Sequence, residues 1–118
     1  MGVPNKMRLV DSNGEALSNQ VEAAGGFIPR LHGLMGRKAM PGCFALILMP
    51  CRQIHTFFMR FTIDVIFLDR GLRVKHVIEK MRPWKISKLV RGSHVVVELP
   101  GGTLEGRVTQ GDRLKLEE

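Results

Sequence analysis

Cysteine is scarce in this sequence: only Cys43 and Cys51 occur among 118 residues. Two cysteines are too few for the disulfide framework of a small secreted protein, so we expect both to be reduced thiols in a cytoplasmic protein. Long apolar runs are missing as well. Residues 1–10 lack the apolar core of a signal peptide, and no run approaches the roughly 20 apolar residues that cross a bilayer. The sequence therefore predicts neither export nor membrane insertion.

Acidic residues are scarce along one part of the chain. The whole sequence has 18 basic and 11 acidic residues, a formal net charge of +7. The stretch 70–91 alone holds eight basic residues and one acidic residue, Glu79, so it accounts for the entire excess. A cationic block of this kind is either the contact surface for an anionic ligand, an acidic protein or a nucleic acid, or, more commonly, a solvated face of a stable domain.

Internal repeats, heptads and low-complexity tracts are missing too, so we treat residues 1–118 as a single domain. A chain of this length with 44% hydrophobic residues buries enough surface to fold without a metal or disulfides. Short apolar segments separated by turn residues predict strands near residues 6–10, 15–18, 44–49, 61–68, 74–78, 95–99 and 114–116. This pattern is typical of a mainly β fold, either a sandwich or a small closed barrel.

Two segments break the strand pattern and predict short helical turns. Within residues 30–37 three apolar side chains follow the helical spacing i, i+3 and i+4. The same spacing recurs at Ile86, Leu89 and Val90, after Pro83, while basic residues occupy another face. We therefore expect one or two short helical segments beside the strands.

Charged residues interrupt the strongest predicted strand and the segment that leads into it. His55, Arg60 and Asp64 lie within residues 55–69, which otherwise have the composition of a buried strand. An unpaired charge that is removed from water destabilises a fold strongly. These three groups are therefore either satisfied within the protein or kept for a ligand, and we take them as candidate ligand-binding residues.

The spacing along a strand separates Arg60 from Asp64. Residues four apart on an extended strand are roughly 13 Å apart, so direct pairing needs a bulge or bend. Alternation also places Asp64 on the face opposite the apolar side chains that we assign to the core. Asp64 then needs another donor. We favour Arg37 or Arg30, because a guanidinium can bind a carboxylate with two hydrogen bonds and so clamp two segments together.

Cys51 and His55 invite two chemical interpretations. With three residues between them they form half of a zinc site, but no second pair has suitable spacing, so we predict no metal and no cofactor. Cys51 could also act as a thiolate with His55 as its base, because Arg52 makes the setting electropositive. The sequence shows no obvious third orienting group. An inert buried thiol is the commoner role for such a cysteine.

The single tryptophan lies in the cationic block. Trp84 is close to Arg82 and Lys85 in sequence. An aromatic ring among cations can stack on a nucleobase while the cations bind phosphate, although a lone tryptophan more often packs against apolar neighbours. The candidate polyanion surface comprises Arg82, Trp84, Lys85, Lys88 and Arg91.

Four motifs occur in an order that resembles a known family. They are Arg30–Arg37, His55–Asp69, Glu98–Gly102 and Gly111–Asp112. Together they are similar to the bacterial and archaeal family catalogued as domain of unknown function 192. The resemblance implies a compact, predominantly β fold, and it brings no established activity, cofactor or catalytic residue. Many relatives look exported, with leader segments that this chain does not show, so we expect no extracytoplasmic partner.

Two functions remain open at this point. The leading interpretation is a non-catalytic binding module, in which a rigid β scaffold presents Arg60 or the block 70–91 to an anionic ligand or partner. The alternative is a small enzyme that uses His55, Asp64 and Cys51. Clustering of those three side chains around one pocket would favour the enzyme, whereas burial of Asp64 against an arginine would favour the scaffold.

Overall fold

The computed structural model describes residues 7–24, 42 and 44–118 of the chain. This part contains eight β-strands. In chain order they are β1 (Arg8–Val10), β2 (Ala16–Ser18), β3 (Gln20–Ala24), β4 (Phe44–Leu48), β5 (Ile63–Leu68), β6 (Val74–Met81), β7 (Val95–Pro100) and β8 (Lys115–Glu117). Every predicted strand is present, and β3 is an additional one. The prediction of a mainly β fold is confirmed.

A three-stranded antiparallel sheet has the order β2-β1-β8. Its hairpin turns at Asp11, whose Oδ1 accepts hydrogen bonds from the backbone N–H groups of Asn13 and Glu15, both at 2.9 Å. Gly14 has a φ of +87°, in the left-handed region that a residue without a Cβ enters at little cost. The Asp and Gly of this turn thus explain why the predicted hairpin forms here.

The second sheet has five strands in the order β3-β4-β7-β5-β6. β3 and β4 are parallel, and the other neighbours are antiparallel. Asp69 holds the β5–β6 turn, because its Oδ1 accepts the N–H of Gly71 at 2.9 Å and that of Arg73 at 3.0 Å. The bond from Arg73 above all, with smaller contributions from Gly71 and the charge of Lys75, lowers the pKa of the Asp69 carboxyl despite some opposing desolvation.

Both faces of β5 are buried. Ile63, Val65 and Phe67 belong to one apolar cluster, as the alternation predicts. Ile66 and Leu68 belong to a second cluster on the opposite face, which side chains of β1 and β2 complete. A strand covered on both faces reads as a continuous apolar run, so alternation underestimates how much of it is buried. The face that carries Asp64 is therefore part of the core as well.

The two sheets do not close into a barrel. In the described part of the chain, β3 and β6 are the free edges of the five-stranded sheet. Of the two predicted architectures, the one with two separate sheets agrees with the structure and the closed barrel does not. Within the residues that the structure describes, no helix is long and apolar enough to cross a membrane.

The predicted helical turn at residues 86–90 is wrong, since the described residues contain no helix. The N–H groups of Ser87 and Val90 donate instead to carbonyls of residues 52–54, at 2.9 and 2.8 Å. These long-range bonds take the donors that a helix would use internally, and two of the three apolar side chains with helical spacing are exposed. The other predicted helical segment, residues 30–37, lies outside the described residues.

Candidate functional site

Thr56 joins two tight surface turns, its own and the turn around Trp84. Its side chain is fully buried. The Oγ1 atom donates a hydrogen bond to the Arg82 carbonyl at 2.6 Å and accepts one from the Lys85 N–H at 2.9 Å. The backbone N–H of Thr56 donates to the Lys85 carbonyl at 2.8 Å, and its carbonyl accepts the Trp84 N–H at 2.9 Å. A single threonine therefore fixes the two turns against each other.

The joined turns carry a row of aromatic side chains, which we call the aromatic ledge: His55, Phe57, Phe58 and Trp84. The centroids of the His55 and Phe57 rings are 4.6 Å apart, those of Phe57 and Trp84 6.0 Å, and those of Phe58 and Trp84 4.7 Å. Phe58 is 57% exposed and Trp84 is 59% exposed. Trp84 is therefore a surface ring and not the core residue that a lone tryptophan commonly is.

Backbone strain accompanies this exposure. Phe58 has a φ of 67° and Trp84 a φ of 64°, both in the left-handed region. That region costs an L-residue with a bulky side chain about 1–2 kcal/mol. The Thr56 carbonyl holds both turns, because it accepts the N–H of Trp84 and also that of Met59 at 3.2 Å. The local fold thus keeps two large apolar rings in water at an energetic cost.

Exposed cations occur in the two turns and in the segment that follows Trp84 in the chain, and we call them the cationic rim: Arg60, Arg82, Lys85, Lys88 and Arg91. The ion pairs found among the described residues lie elsewhere, between Arg8 and Glu117 at 3.2 Å and between Arg107 and Asp11 at 4.0 Å. Within that part of the chain, therefore, no carboxylate forms an ion pair with the rim. The site combines apolar ring surface with positive charge that a bound anion could neutralise.

Asp64 is completely buried, and backbone N–H groups satisfy its carboxylate. Oδ1 accepts hydrogen bonds from Lys80 at 2.8 Å and from Gly102 at 3.1 Å. Oδ2 accepts one from Leu104 at 2.8 Å. Asp64 thus ties β5 to β6 and to the turn that follows β7. A carboxylate used in this way is a structural tie and is not available to a ligand.

The bonds of Asp64 support two irregular backbone features. Lys80 sits at a shift in the β5–β6 register and has a φ of 53°. Beside the Gly102 donor, Gly101 leaves no room for a side chain, since a Cβ there would collide with the hydroxyl of Thr62. The arginine clamp predicted for this carboxylate would use Arg37 or Arg30, and both lie outside the described residues. The donors that the structure does describe are all main-chain groups.

Cys51 lines a cleft that the other residues of the enzyme hypothesis do not line. It is a free, buried cysteine whose Sγ donates to the Gln53 carbonyl at 3.3 Å. It lines an open cleft of about 840 Å³, and the described residues around that cleft include neither His55 nor Asp64. Cys43 lies outside the described residues. The structure therefore does not gather the three groups around this cleft.

His55 and Arg60 both lie at the surface. The His55 Nδ1 accepts the N–H of Phe57 at 3.2 Å, which orients the imidazole along the ledge. Arg60 follows two residues after Phe58 and belongs to the rim. Over the described ranges, no three His, Cys, Asp or Glu side chains are grouped so that they could hold a metal ion. The arrangement offers stacking surface and positive charge.

Sequence reasoning missed Thr56 and the two phenylalanines beside it. A threonine inside an apolar run carries no charge that marks it as important. The Phe57–Phe58 pair carries no clear signal either, because two adjacent aromatic residues also fit a buried strand.

The fold and this surface define an open, two-sheet β protein with an exposed aromatic and cationic site. The chain belongs to the DUF192 family, whose model, described as "Uncharacterized ACR", matches residues 8–116. The UPF0127 protein of Pyrococcus furiosus is 34% identical over 110 residues, which are 88% of this chain and 92% of that protein. The UPF0127 protein of Pyrococcus abyssi is 36% identical over 102 residues, 81% of this chain and 85% of that protein. The predicted family resemblance is confirmed.

A solved crystal structure shares this fold. It is a protein of unknown function from Novosphingobium aromaticivorans, with a TM-score of 0.79 over 97% of this chain and 84% of that chain. The two sequences are 19% identical. At that identity the likeness concerns the fold alone, so any functional conclusion must come from the residues of this chain.

Proposed function

We propose that this protein is a non-catalytic binding module that holds an anionic partner on the aromatic ledge and the cationic rim. The observation that carries the proposal is the pair Phe58 and Trp84, two large apolar rings kept in water by a strained backbone around a buried Thr56. Exposed apolar patches edged by polar groups are typical of interaction sites, and backbone strain concentrates at functional sites. Both features, the exposed apolar rings and the strained backbone, occur on this surface.

The charge of the rim supports an anionic partner. Five exposed cations attract anions over several ångströms and accelerate encounter at low ionic strength. An acidic protein, a nucleic acid and a smaller anionic ligand all fit this description. His55 and Arg60 then belong to the contact surface, and Asp64 supports the scaffold behind it.

The enzyme alternative receives less support. Both Asp64 oxygens accept backbone hydrogen bonds at a fully buried position, and Cys51 is buried beside a cleft whose described lining does not include Asp64. Nucleophile and base need to lie within hydrogen-bond reach of each other, and the described contacts of Cys51 and His55 run to other groups. We further place this binding in the cytoplasm, an inference supported by the free thiol of Cys51.

Salt dependence of heparin binding tests the proposal. Removing three rim charges with Lys85→Gln, Lys88→Gln and Arg91→Gln should weaken binding. The slope of log affinity against log salt should flatten by up to ~3, because fewer condensed counterions are released. Isothermal titration at low and near-physiological salt measures both quantities.

A matched control removes the same charge elsewhere. Arg70, Arg113 and Lys115 are exposed and lie outside the rim, so their combined change to glutamine lowers the net charge equally. This control should retain most of the heparin affinity. Equal losses from both triple variants, or no heparin binding at low salt, would reject the ledge and rim as the binding surface.

A further inference from the structure

We infer that the aromatic ledge binds single-stranded nucleic acid by stacking unpaired bases on Phe58 and Trp84. This inference deepens the proposed function and rests on it, because it names the class of polyanion. Nucleic acids alone among common biological polyanions bring flat, apolar, stackable groups together with regularly spaced negative charge. The exposed rings can stack on the flat groups, and the cationic rim can bind the negative charges.

The geometry of the rings favours a single strand over a duplex. The ring planes of Phe58 and Trp84 are inclined by 58°, and both rings are more than half exposed. Two bases that lie flat on these rings are therefore not parallel to each other. Bases in a duplex are parallel and already stacked, whereas the bases of a single strand can splay apart and stack on protein side chains.

Two cations of the rim are neighbours of the exposed rings in the chain and are available to bind the phosphates of such a strand. Arg60 follows Phe58 by two residues, and Lys85 directly follows Trp84, so a cation accompanies each exposed ring along the chain. Both cations are exposed. Sequence-tolerant single-strand binding is typical of aromatic side chains next to positive charges, because every base has a flat apolar face. DNA and RNA share this chemistry.

An acidic peptide fits the ledge less well. Its carboxylates would pair with the rim, but the faces of aromatic rings carry partial negative charge and repel anions that approach from above. A nucleobase gains stacking energy from those same faces. The exposed ring area thus contributes to binding a nucleic acid and little to binding an acidic chain.

The test compares probes that differ in their bases while their charge is matched. Labelled oligo-dT and oligo-rU of about 8 nucleotides lie within the site sizes of such surfaces. An abasic oligomer with the same number of phosphates, a duplex, heparin and poly-glutamate complete the set. Fluorescence anisotropy at low salt should show that one or both single strands bind about tenfold or more tightly than the abasic oligomer and the duplex.

Ring removal must not disturb the strained turns. Asparagine tolerates the left-handed backbone, so Phe58→Asn and Trp84→Asn remove a ring at little conformational cost. Each should lower single-strand affinity about tenfold and leave heparin affinity nearly unchanged. Met49→Gln, an exposed apolar residue outside the ledge, should change neither. Unchanged melting temperatures show that the variants are folded.

Several results would overturn the inference without touching the broader proposal. Equal affinity for single-stranded and abasic oligomers, or ring variants that bind oligo-dT and oligo-rU like the parent, would show that the bases are not read. Poly-glutamate or duplex bound as tightly as the single strands would point to another class of partner. If neither heparin nor any other probe binds the protein at low salt, the proposed function itself is rejected.

Discussion

At the scale of single residues, two buried polar side chains organise the backbone around them. Thr56 uses its hydroxyl and its main-chain groups to join the two turns of the ledge. Asp64 uses both carboxylate oxygens to join β6 and the turn after β7 to β5. In each case a buried side chain forms hydrogen bonds with backbone groups of irregular segments, which lack a main-chain partner there.

Replacing Asp64 should destabilise the fold severely. Asp64→Ala leaves three backbone N–H groups without their acceptor, and each such group costs about 1–3 kcal/mol, so we expect a loss of about 3 kcal/mol or more. Asp64→Asn keeps one acceptor oxygen and should cost less. Urea unfolding at neutral pH measures both changes. A midpoint that Asp64→Ala leaves where it was would show that this carboxylate is not a structural tie.

The sequence identifies Asp64 as unusual but not its partners. A carboxylate inside an apolar strand demands donors, and charge complementarity favours an arginine of segment 30–37. The donors that the structure describes are main-chain groups, whose positions depend on the turns after β6 and β7. The sequence does not mark Thr56 as unusual, because the hydrogen bonds of a neutral hydroxyl can be satisfied by many partners. Residue-level prediction was therefore best where desolvation costs most.

At the scale of elements, turn chemistry and β-branched runs predicted the strands well. The hairpins around Asp11 and Asp69 form where Asp and Gly meet, as expected. β3 was missed because its polar and small residues carry little strand signal, and it pairs with β4 only through a long-range parallel contact. Segment 86–90 was misjudged because three apolar residues fit a helical spacing by chance while its backbone pairs with residues 52–54.

β6 contains a pH-sensitive residue. Partial burial above all, and the nearby charge of Lys88, lower the pKa of His76 from its ordinary value of 6.5. The unfolded chain then binds more protons than the folded one around and below that value, so this contribution to stability is complete above pH 6.5 and is lost as the pH falls.

The prediction for His76 has two parts. NMR titration should give a pKa below the ordinary histidine value, and Lys88→Gln should raise it, because a neighbouring positive charge is removed. His76→Gln should also reduce the loss of stability between neutral and mildly acidic pH. A His76 pKa that does not respond to Lys88→Gln would contradict the assigned electrostatic contact.

At the scale of the whole molecule, the site arises from contacts between distant parts of the chain. The basic excess of residues 70–91 is visible in the sequence, and so are the aromatic residues. That the two occur together is not visible in the sequence, because long-range hydrogen bonds of the Thr56 backbone and hydroxyl join the turn around Thr56 to the turn around Trp84. Composition thus predicted the charge of the surface, and only the fold shows that aromatic rings lie within it.

The most direct test of the account uses the fluorescence of Trp84. The chain has one tryptophan and no tyrosine, so its intrinsic emission reports on the ledge alone. Titration with heparin at low salt should change that emission in a saturable way, and added salt should reverse the change because counterions compete for the rim. Heparin bound to the protein, as shown by co-sedimentation, with Trp84 emission unchanged would place the partner elsewhere and contradict the central claim.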